Sequence, residues 1–508
     1  MGRRMAASGG LGAQITGGER SSRRELPGPR WPWLWALAIA GGVVLFLIHP
    51  GALTDDSYAF LDWGRDLTHH YLPLLEKRTF QPLPILVGAV LSLFGSSAPT
   101  ATMIFTLATL VLSGVAAWRV TELLGAPQPA PLLALVLAMG LMPMPLIADI
   151  AYNNAPYTTT VLWALVFELE GRRGWAWGML IVAGLTRPEA WLFLLAYGAY
   201  DWWRLGKPFS PRRVIPILAL AVGPILLWVL LEGLLFGNFF YSEDVTSGSA
   251  VATAHRGWAG IKQTLDYEIA LAIWIFAAIG AAAIIGLRQF RQGLKLLALL
   301  VLSAVGIAVL AKSNFNLPSR DFSLLNSTIG ICAAFGTAVP GLLLRERGGA
   351  RAAVFAVGLA MAALLVAFSL EHTLIRVRPA MKSVAFSRNT EQIFNRDVGS
   401  VAHLIDNSNA HAHTIAMIGA VDNSQLAWVF DVPFNVITDA QEPQTKVIVE
   451  PTPLTWGELR KAKLTNRERR PVPSNWQRLL LTKHWEVWAA PGSLPVQLNG
   501  QQVPPPSG

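Results

Sequence analysis

The sequence predicts an all-α polytopic membrane protein with a small C-terminal α/β domain, and three observations support this fold class. First, 53% of the 508 residues are hydrophobic and only 14% are charged, whereas soluble domains average about 25% charged residues. Second, several apolar segments have the length of roughly 17–25 residues that crosses a bilayer. Third, after residue 371 the long apolar segments give way to short strand-like and helical patterns.

The first apolar segment, Trp31–Pro50, follows residues 1–30, which are rich in Gly, Ser and Arg and are expected to be disordered and cytoplasmic. The segment is longer than the apolar part of a cleavable signal, and no small-residue cleavage site follows it. We therefore expect an uncleaved first membrane helix. Ten further spans are predicted near 99–120, 128–150, 155–170, 174–187, 188–203, 213–236, 268–287, 294–312, 324–344 and 352–370. The membrane domain thus covers residues 31–370.

The basic residues of the connections predict the topology, because cytoplasmic loops carry an excess of Lys and Arg. Basic clusters occur near 172–173, 204–213, 288–295 and 345–351. This alternation places the N-terminus in the cytoplasm, and it places the loop 51–80 and the residues after about 371 outside the plasma membrane of a bacterial-type cell. The net charge of +9 follows this loop pattern. The sequence lacks the basic face with interleaved aromatic residues that would indicate nucleic-acid binding.

One apolar segment, Pro82–Gly95, is too short to cross a bilayer as a standard helix. If it crossed, every later loop would change sides and contradict the arginine pattern. We therefore expect a re-entrant or interfacial helix at 82–95. The single cysteine, Cys332, lies in an apolar segment and is expected to be a small packing residue.

The extracytoplasmic domain is expected to cover residues 371–491, with a disordered Pro-rich tail at 492–508. Helical patterns and strand-like patterns alternate in it, as in small α/β domains. The helical patterns lie at 397–406 and 425–430, and the strand-like patterns at 414–421, 435–438, 446–449 and 485–489. Its histidines do not stand at a spacing that indicates a metal site, so no metal ligand is assigned. A divalent cation remains an open alternative.

Two adjacent carboxylates, Asp55 and Asp56, follow the first helix and lead into an amphipathic segment with Tyr58. In one interpretation they are structural: Thr54 caps a helix whose positive N-terminus favours the two acids. In the other, one aspartate is a general base or a metal ligand, because partial desolvation at the membrane edge raises carboxylate basicity. The spacing of these residues leaves both interpretations open.

A second motif, Thr186-Arg187-Pro188-Glu189, places a charged pair between two apolar segments. Pro188 suits the first position of a helix and Glu189 its first turn, so the motif is explained by helix punctuation alone. Charged groups beside membrane helices are often functional, however, and an arginine holds a phosphate oxygen well. Arg187 and Glu189 are therefore candidate substrate-binding residues.

Three further groups in predicted outer connections are weaker candidates for substrate binding. Each group is more typical of a solvated turn or loop than of a ligand-binding site. They comprise Asn153, Asn154 and Tyr157; Tyr241, Glu243 and Asp244; and Lys312, Arg320 and Asp321.

Together these features resemble the GT-C superfamily of membrane glycosyltransferases, including its arabinosyltransferase, mannosyltransferase and aminoarabinose transferase families. The pair Asp55-Asp56 followed by Tyr58 resembles the acidic first outer loop of these enzymes, and residues 186–189 resemble their Arg-Pro-Glu element. The segment Phe236-Gly-Asn238, followed by Tyr241, is similar to another of their outer loops. Where many relatives have an acidic turn, this chain has Asn153 and Asn154.

The resemblance implies an inverting transferase that moves a sugar from a polyprenyl-phosphate donor to a glycan or lipid acceptor of the cell envelope. It implies that Asp55 or Asp56 is the general base and that Arg187, with Lys312 or Arg320, stabilises the departing phosphate. Two rival functions are a lipid or solute transporter and a non-catalytic protein whose outer domain binds the envelope. Charges within helices or paired inverted halves would favour a transporter, and neither is evident.

Overall fold

The chain folds into a mostly helical bundle followed by a small sheet. A computed structural model describes residues 31–48, 51, 53–69, 79–141, 151, 153–205, 211–244, 258, 261–262, 265, 269–286, 290–312, 319–395, 414–417, 437–438, 445–453, 474–490, 497–498 and 501–502. The N-terminal residues 1–30 and the predicted helical segments 397–406 and 425–430 lie outside these ranges, so the predictions for them stay predictions.

The helices follow the apolar segments of the sequence closely. Within the described ranges they are α1 (Trp31–Ile48), α2 (Asp55–Thr68), α3 (Pro82–Ser92), α4 (Ala98–Leu123), α5 (Ala130–Gly140), α6 (Asn154–Leu169), α7 (Arg173–Thr186), α8 (Trp191–Leu205), α9 (Pro211–Phe236), α10 (Leu271–Gly286), α11 (Phe290–Lys312), α12 (Ser323–Glu346) and α13 (Arg351–Asn395). Short 3₁₀ helices lie at Gly95–Ser97, Pro188–Ala190 and Ser319–Phe322.

Five helices in the described part of the chain are long and apolar enough to cross a membrane by length and composition, namely α4, α9, α11, α12 and α13. Shorter apolar helices lie at Trp33–Ile48, Pro82–Ser92, Ala130–Gly140 and Leu271–Gly286. The protein is therefore a multi-pass helical membrane protein, whereas the predicted count of eleven spans stays a prediction. Helix α13 continues well beyond the predicted span 352–370.

Helix α12 lies at the centre of the bundle. In its most apolar window 72% of the residues are buried, compared with 22% for α9 and 28% for α11. The apolar surfaces of α9 and α11 are thus left for lipid, as expected for peripheral helices in a bilayer. Small residues allow α10 to approach α12 closely, since a Cβ on Gly280 would lie 2.0 Å from the Cys332 carbonyl oxygen. Cys332 itself is fully buried, so its prediction as a packing residue is confirmed.

Helices α4 and α6 run parallel to each other, and polar contacts fix their register. Thr159 Oγ1 donates to the Thr109 carbonyl at 2.6 Å, and Trp163 Nε1 donates to the Leu112 carbonyl at 3.1 Å. One to two turns further along both helices, Arg119 pairs with Glu170 at 3.0 Å. These polar groups between α4 and α6 thus have partners, as hydrocarbon surroundings require.

Helix α3 begins and ends at the same end of the bundle. Before it, Gln81 accepts a hydrogen bond from Asn153 at 2.8 Å. After it, Ala98 packs with Leu53 and Ala151. Its 11 residues would span only about 16 Å at 1.5 Å per residue, roughly half of a bilayer core. This geometry agrees with the expected re-entrant or interfacial helix and not with a full crossing.

Glycines join α2 to α3 at close range. A Cβ on Gly64 would lie 2.1 Å from the Ala89 nitrogen, and a Cβ on Gly88 would lie 2.1 Å from the Phe60 carbonyl oxygen. The two backbones therefore touch, which no larger residue at either position would permit. This contact holds α2, which begins with Asp55 and Asp56, firmly against the bundle.

The C-terminal segment contains a five-stranded mixed sheet in the order β2-β1-β3-β5-β4. The strands are β1 (Thr414–Met417), β2 (Ile437–Thr438), β3 (Thr445–Pro451), β4 (Gln477–Leu481) and β5 (Trp485–Ala489). Strand β1 is parallel to β2 and β3, and β5 is antiparallel to β3 and β4. Within the described residues, β1, β2, β3 and β5 overlap the strands predicted at 414–421, 435–438, 446–449 and 485–489, while β4 was not predicted. The α/β class of this domain stays a prediction.

The tail differs in part from the expectation of disorder. Gln497–Leu498 and Gln501–Gln502 pair as antiparallel strands, β6 and β7. The two residues between them in the sequence are Asn499 and Gly500. Asn-Gly is the dipeptide that most strongly favours a two-residue hairpin turn, which explains the pairing of these four residues.

Candidate functional site

Arg187 is at the centre of a charged cluster at one end of the bundle. Its Nη2 atom donates to Glu189 Oε1 at 2.9 Å and to Asp321 Oδ1 at 2.8 Å. The three side chains are only 11–21% exposed. The guanidinium also lies 5.8 Å from the centre of the Tyr157 ring, within the range of a cation–π contact. The 3₁₀ helix that begins at Pro188 turns Glu189 back towards Arg187.

Some hydrogen-bonding capacity of this cluster is unused. Within the described part of the chain, Arg187 Nε and Glu189 Oε2 are buried and have no hydrogen-bond partner. Buried polar atoms usually find partners, so an unsatisfied pair at one place indicates a site prepared for another group. Arginine donors of this kind bind phosphate or carboxylate oxygens.

The acidic helix α2 starts beside the same end of the bundle, which we call the outer end because the basic-residue pattern predicts it outside. Ser57 Oγ donates to the Ala151 carbonyl at 3.1 Å. Ala151 has a positive φ of 56°, which is rare for a residue other than glycine. Asn153, two residues on, reaches Gln81. The segments 53–58, 79–82 and 151–157 therefore meet at one place.

Thr54 occupies the N-cap position of α2, as predicted, but its hydroxyl does not cap the helix. Instead, Thr54 Oγ1 and Ser57 Oγ are 3.1 Å apart and hydrogen-bond to each other. The prediction of a side-chain cap is therefore wrong. The first helical turn still begins with Asp55 and Asp56, whose side chains lie outside the description.

An apolar cavity of about 490 Å³ leads away from this place into the bundle. Ser57, Asn153 and Thr186 line its outer part, and Thr186 precedes Arg187 directly in the chain. Its walls come from α1, α2, α3, α4, α6 and α7 and include Trp35, Phe60, Val87, Leu91, Phe105, Trp163 and Met179. The cavity can thus accommodate an apolar chain whose polar end lies near Arg187.

A second part of the outer end joins α9 to the segment before α3. The Phe80 nitrogen donates to Ser242 Oγ at 2.9 Å, and Ser242 Oγ donates to Glu232, which is buried. The Phe80 ring also contacts Trp228 edge-on at 6.1 Å. Tyr241 stacks on Phe236 at 4.2 Å and is partly buried. The aromatic segment 236–242 is therefore packed against the bundle.

The structure brings some predicted site residues together and leaves others apart. Tyr157, Arg187 and Glu189 form one cluster, whereas Asn153 borders the cavity just before α6. Tyr58 and Asn154 are buried, and Tyr241 belongs to the aromatic segment. Lys312 is exposed at the end of α11. The side chain of Arg320 lies outside the description.

Sequence reasoning missed part of this site. Asp321, interpreted as more typical of a solvated loop, is paired with Arg187 and only 11% exposed, so that interpretation is wrong. Gln81, Glu232 and Ser242 were not singled out as site residues. Gln81 bonds to Asn153, which is 72 residues away, and Ser242 bonds to Phe80, which is 162 residues away. A local sequence pattern cannot reveal contacts over such separations.

Metal binding finds no support among the side chains described. No group of three or more His, Cys, Asp or Glu residues in that part of the chain could hold a metal ion. This finding does not cover Asp55 and Asp56 at the start of α2, because their side chains are outside the described part of the chain.

The architecture is that of a polytopic membrane protein with an apolar cavity that reaches Thr186 and a charged cluster around the next residue, Arg187. Two solved structures have a similar fold. "Crystal Structure of ArnT from Cupriavidus metallidurans bound to Undecaprenyl phosphate" matches with a TM-score of 0.52 and 15% identity, over 91% of this chain and 98% of that chain. The apo state of ArnT from Cupriavidus metallidurans matches with a TM-score of 0.51 and 13% identity, over 90% and 98%.

At these identities the likeness shows the fold alone, and it confirms the GT-C-type fold that the sequence resemblance implied. No protein-family model matches the sequence, and no curated protein matches it.

Proposed function

We propose that this protein is a membrane glycosyltransferase that uses a polyprenyl-phosphate sugar and acts at the outer end of the bundle. The acceptor would be a hydroxyl of a cell-envelope glycan or lipid. Asp55 or Asp56 would be the general base, and Arg187 would stabilise the departing phosphate.

The observation that carries this proposal is that the lining of the apolar cavity reaches Thr186, the residue directly before Arg187 of the charged cluster. A polyprenyl phosphate has a long apolar chain and an anionic end, and the cavity offers an apolar wall for that chain. The similar ArnT structure is described as bound to undecaprenyl phosphate. Both the shape of the site and the fold likeness therefore favour the same class of donor.

In the proposed reaction, the carboxylate of Asp55 or Asp56 takes the proton of the acceptor hydroxyl. The acceptor oxygen forms a bond to the anomeric carbon while the bond from that carbon to the phosphate oxygen breaks, so the configuration inverts. The polyprenyl phosphate leaves with the electron pair of the broken bond. Arg187 offsets the growing phosphate charge, which is effective because the site is largely closed to water.

Arg187 alone does not make the site positive, since Glu189 and Asp321 both pair with it. These two carboxylates hold the guanidinium in place and leave its Nε free for another group. Lys312 and Arg320 flank the connection that delivers Asp321. We propose that these two basic residues supply the remaining positive charge for the donor phosphate.

The test is transfer from radiolabelled polyprenyl-phosphate sugars to envelope acceptors by purified protein in lipid. We expect Asp55→Asn or Asp56→Asn to lower the rate by about 10²–10⁴-fold, the contribution of a positioned general base. Both side chains keep their size, so donor binding should change far less than the rate.

Glu346→Gln is the matched control, because this exposed carboxylate terminates α12 at the opposite end of the bundle. It should leave transfer unchanged. If transfer occurs but neither aspartate variant slows it, both aspartates are excluded as the base. If folded protein binds donor but transfers no sugar from any donor, the proposal fails and a transport or binding function gains support.

A further inference from the structure

A second cavity, polar and about 510 Å³ in volume, lies at the inner end of the bundle, opposite Arg187. It is formed where α6 ends, α7 begins, α8 ends and α11 begins. Glu168, Arg173, Arg204, Gln292 and Lys295 line it. The basic-residue pattern predicts this end to be cytoplasmic. None of these residues takes part in the proposed transfer reaction.

Glu168 is buried and fully partnered within this cavity. It accepts hydrogen bonds from Lys295 Nζ at 2.6 Å, Tyr197 at 2.7 Å and Tyr200 at 3.3 Å. Only 7% of the Glu168 side chain is exposed. A buried carboxylate with three donors is a structural anchor between α6, α8 and α11, and it has little capacity left to neutralise other cations.

The remaining charges leave an excess of arginine donors. Arg173 approaches Glu168 and Asp201 only at 3.8 Å each, and its buried Nε makes no hydrogen bond within the described part of the chain. Arg204 is exposed and makes no ion pair with any described residue. The cavity has three nearby cations, Arg173, Arg204 and Lys295. Two carboxylates, Glu168 and Asp201, offset them, which leaves a net charge of about +1.

Exposed tryptophans place this cavity at the level of the lipid headgroups. Trp203 is 77% exposed and precedes Arg204, and Trp202 is 54% exposed. Trp175 is 53% exposed and stands two residues after Arg173. Tryptophans that project from membrane helices concentrate at the interface between hydrocarbon and water. An anionic group in the cavity would therefore come from the membrane rather than from bulk solution.

We propose that this inner cavity binds the phosphate of an anionic phospholipid. Arg173 and Arg204 donate to the phosphate oxygens, while the pair of Lys295 and Glu168 forms the fixed floor of the site. Basic pockets between membrane helices bind anionic headgroups in this way. The proposal does not depend on the transferase function, because it concerns the opposite end of the bundle.

The experiment is native mass spectrometry of the full-length protein in detergent, titrated with phosphatidylglycerol or with zwitterionic phosphatidylcholine. We expect phosphatidylglycerol to bind at least about tenfold more tightly. Arg173→Gln/Arg204→Gln should weaken phosphatidylglycerol binding by about thirtyfold, since each basic residue near an anionic lipid contributes roughly fivefold. Phosphatidylcholine binding should not change.

Arg345→Gln/Arg347→Gln is the matched control, because both arginines are exposed at the same end but outside the cavity. If the double variant does not fold, Arg204→Gln alone changes an exposed side chain and should still weaken binding about fivefold. Equal binding of the two lipids, or equal effects of the cavity and control variants, would overturn the proposal. Displacement of phosphatidylglycerol by millimolar inorganic phosphate would indicate a site for soluble anions instead.

Discussion

At the scale of single residues, Arg187 is the side chain on which most of the outer site depends. One of its nitrogens holds two carboxylates from different segments, Glu189 and Asp321. Without the guanidinium these acids would face each other in a largely buried place. Arg187 therefore contributes to stability as well as to the proposed chemistry, and the two contributions can be separated.

We predict that Arg187→Gln lowers stability by about 3 kcal/mol, because it leaves two buried carboxylates uncompensated. Adding Asp321→Asn should restore part of that stability, since one of the two charges is then removed. Transfer should stay at least about 10²-fold below wild type in both variants, because the donor phosphate loses its arginine. Thermal unfolding in lipid nanodiscs and the transfer assay measure the two effects.

Glu122→Gln is the control for this prediction. Glu122 pairs with Arg119 on the surface of α4 and is 41% exposed, so its loss should change stability by no more than about 0.5 kcal/mol. If Arg187→Gln/Asp321→Asn were less stable than Arg187→Gln, charge repulsion would not explain the loss.

The sequence predicts the members of this cluster better than it predicts their contacts. Arg187 and Glu189 are two residues apart, and their proximity follows from the motif itself. Asp321 is 134 residues from Arg187, so their pairing depends on how α7 and α12 pack. Hydrophobic patterns locate helices but do not specify which helices become neighbours, and this is why Asp321 was missed.

At the scale of elements, helix boundaries follow local chemistry, whereas helix lengths beyond the membrane do not follow hydropathy. Pro188 marks a helix start because its ring suits the first position of a helix, and Thr54 occupies the N-cap position of α2 without a side-chain cap. Helix α13, in contrast, runs for 45 residues although only its first half is apolar. Backbone hydrogen bonding continues a helix into water, and an apolar window cannot report where it stops.

The close contact between α2 and α3 holds in place the helix that begins with Asp55 and Asp56, the proposed bases. We predict that Gly64→Ala costs about 1–3 kcal/mol, because the added Cβ would meet the Ala89 backbone at 2.1 Å. Backbone atoms cannot move aside as a side chain can. The variant should therefore shift the start of α2 and lower transfer, which thermal unfolding and the transfer assay will show.

Gly223→Ala provides the comparison, since a Cβ at this position in α9 meets nothing within 4 Å. It should be neutral, or stabilising by up to about 1 kcal/mol through helix propensity. Equal effects of the two substitutions would mean that the approach of α2 to α3 is not as close as described.

At the scale of the whole molecule, charged clusters occupy the two ends of the bundle and apolar or hydroxyl side chains occupy its middle. Arg187 and Asp321 lie at the outer end, and Arg119, Glu168 and Lys295 lie at the inner end. Composition and charge pattern predict this arrangement, because charge is costly inside a bilayer. The cavity between the ends could not be predicted, since its walls come from six different helices.

The orientation of this bundle in the membrane is a prediction that single cysteines can test. The native Cys332 is fully buried and should not react, so the wild-type chain provides a clean background. We expect a membrane-impermeant maleimide to label His69→Cys and Glu243→Cys on intact cells and to label Glu346→Cys only after permeabilisation. All three positions are exposed. The basic residues near 172–173, 204–213, 288–295 and 345–351 require this distribution.

The same labels decide whether α3 crosses the membrane, because His69 precedes this helix and Glu243 follows it. Contacts at the outer end place Gln81, before α3, beside Asn153, and Ala98, after it, beside Leu53. A re-entrant α3 therefore keeps His69 and Glu243 on one side of the membrane. Labels on opposite sides would mean that α3 crosses, and the cluster around Arg187 could not then share one membrane face with Asp55 and Asp56.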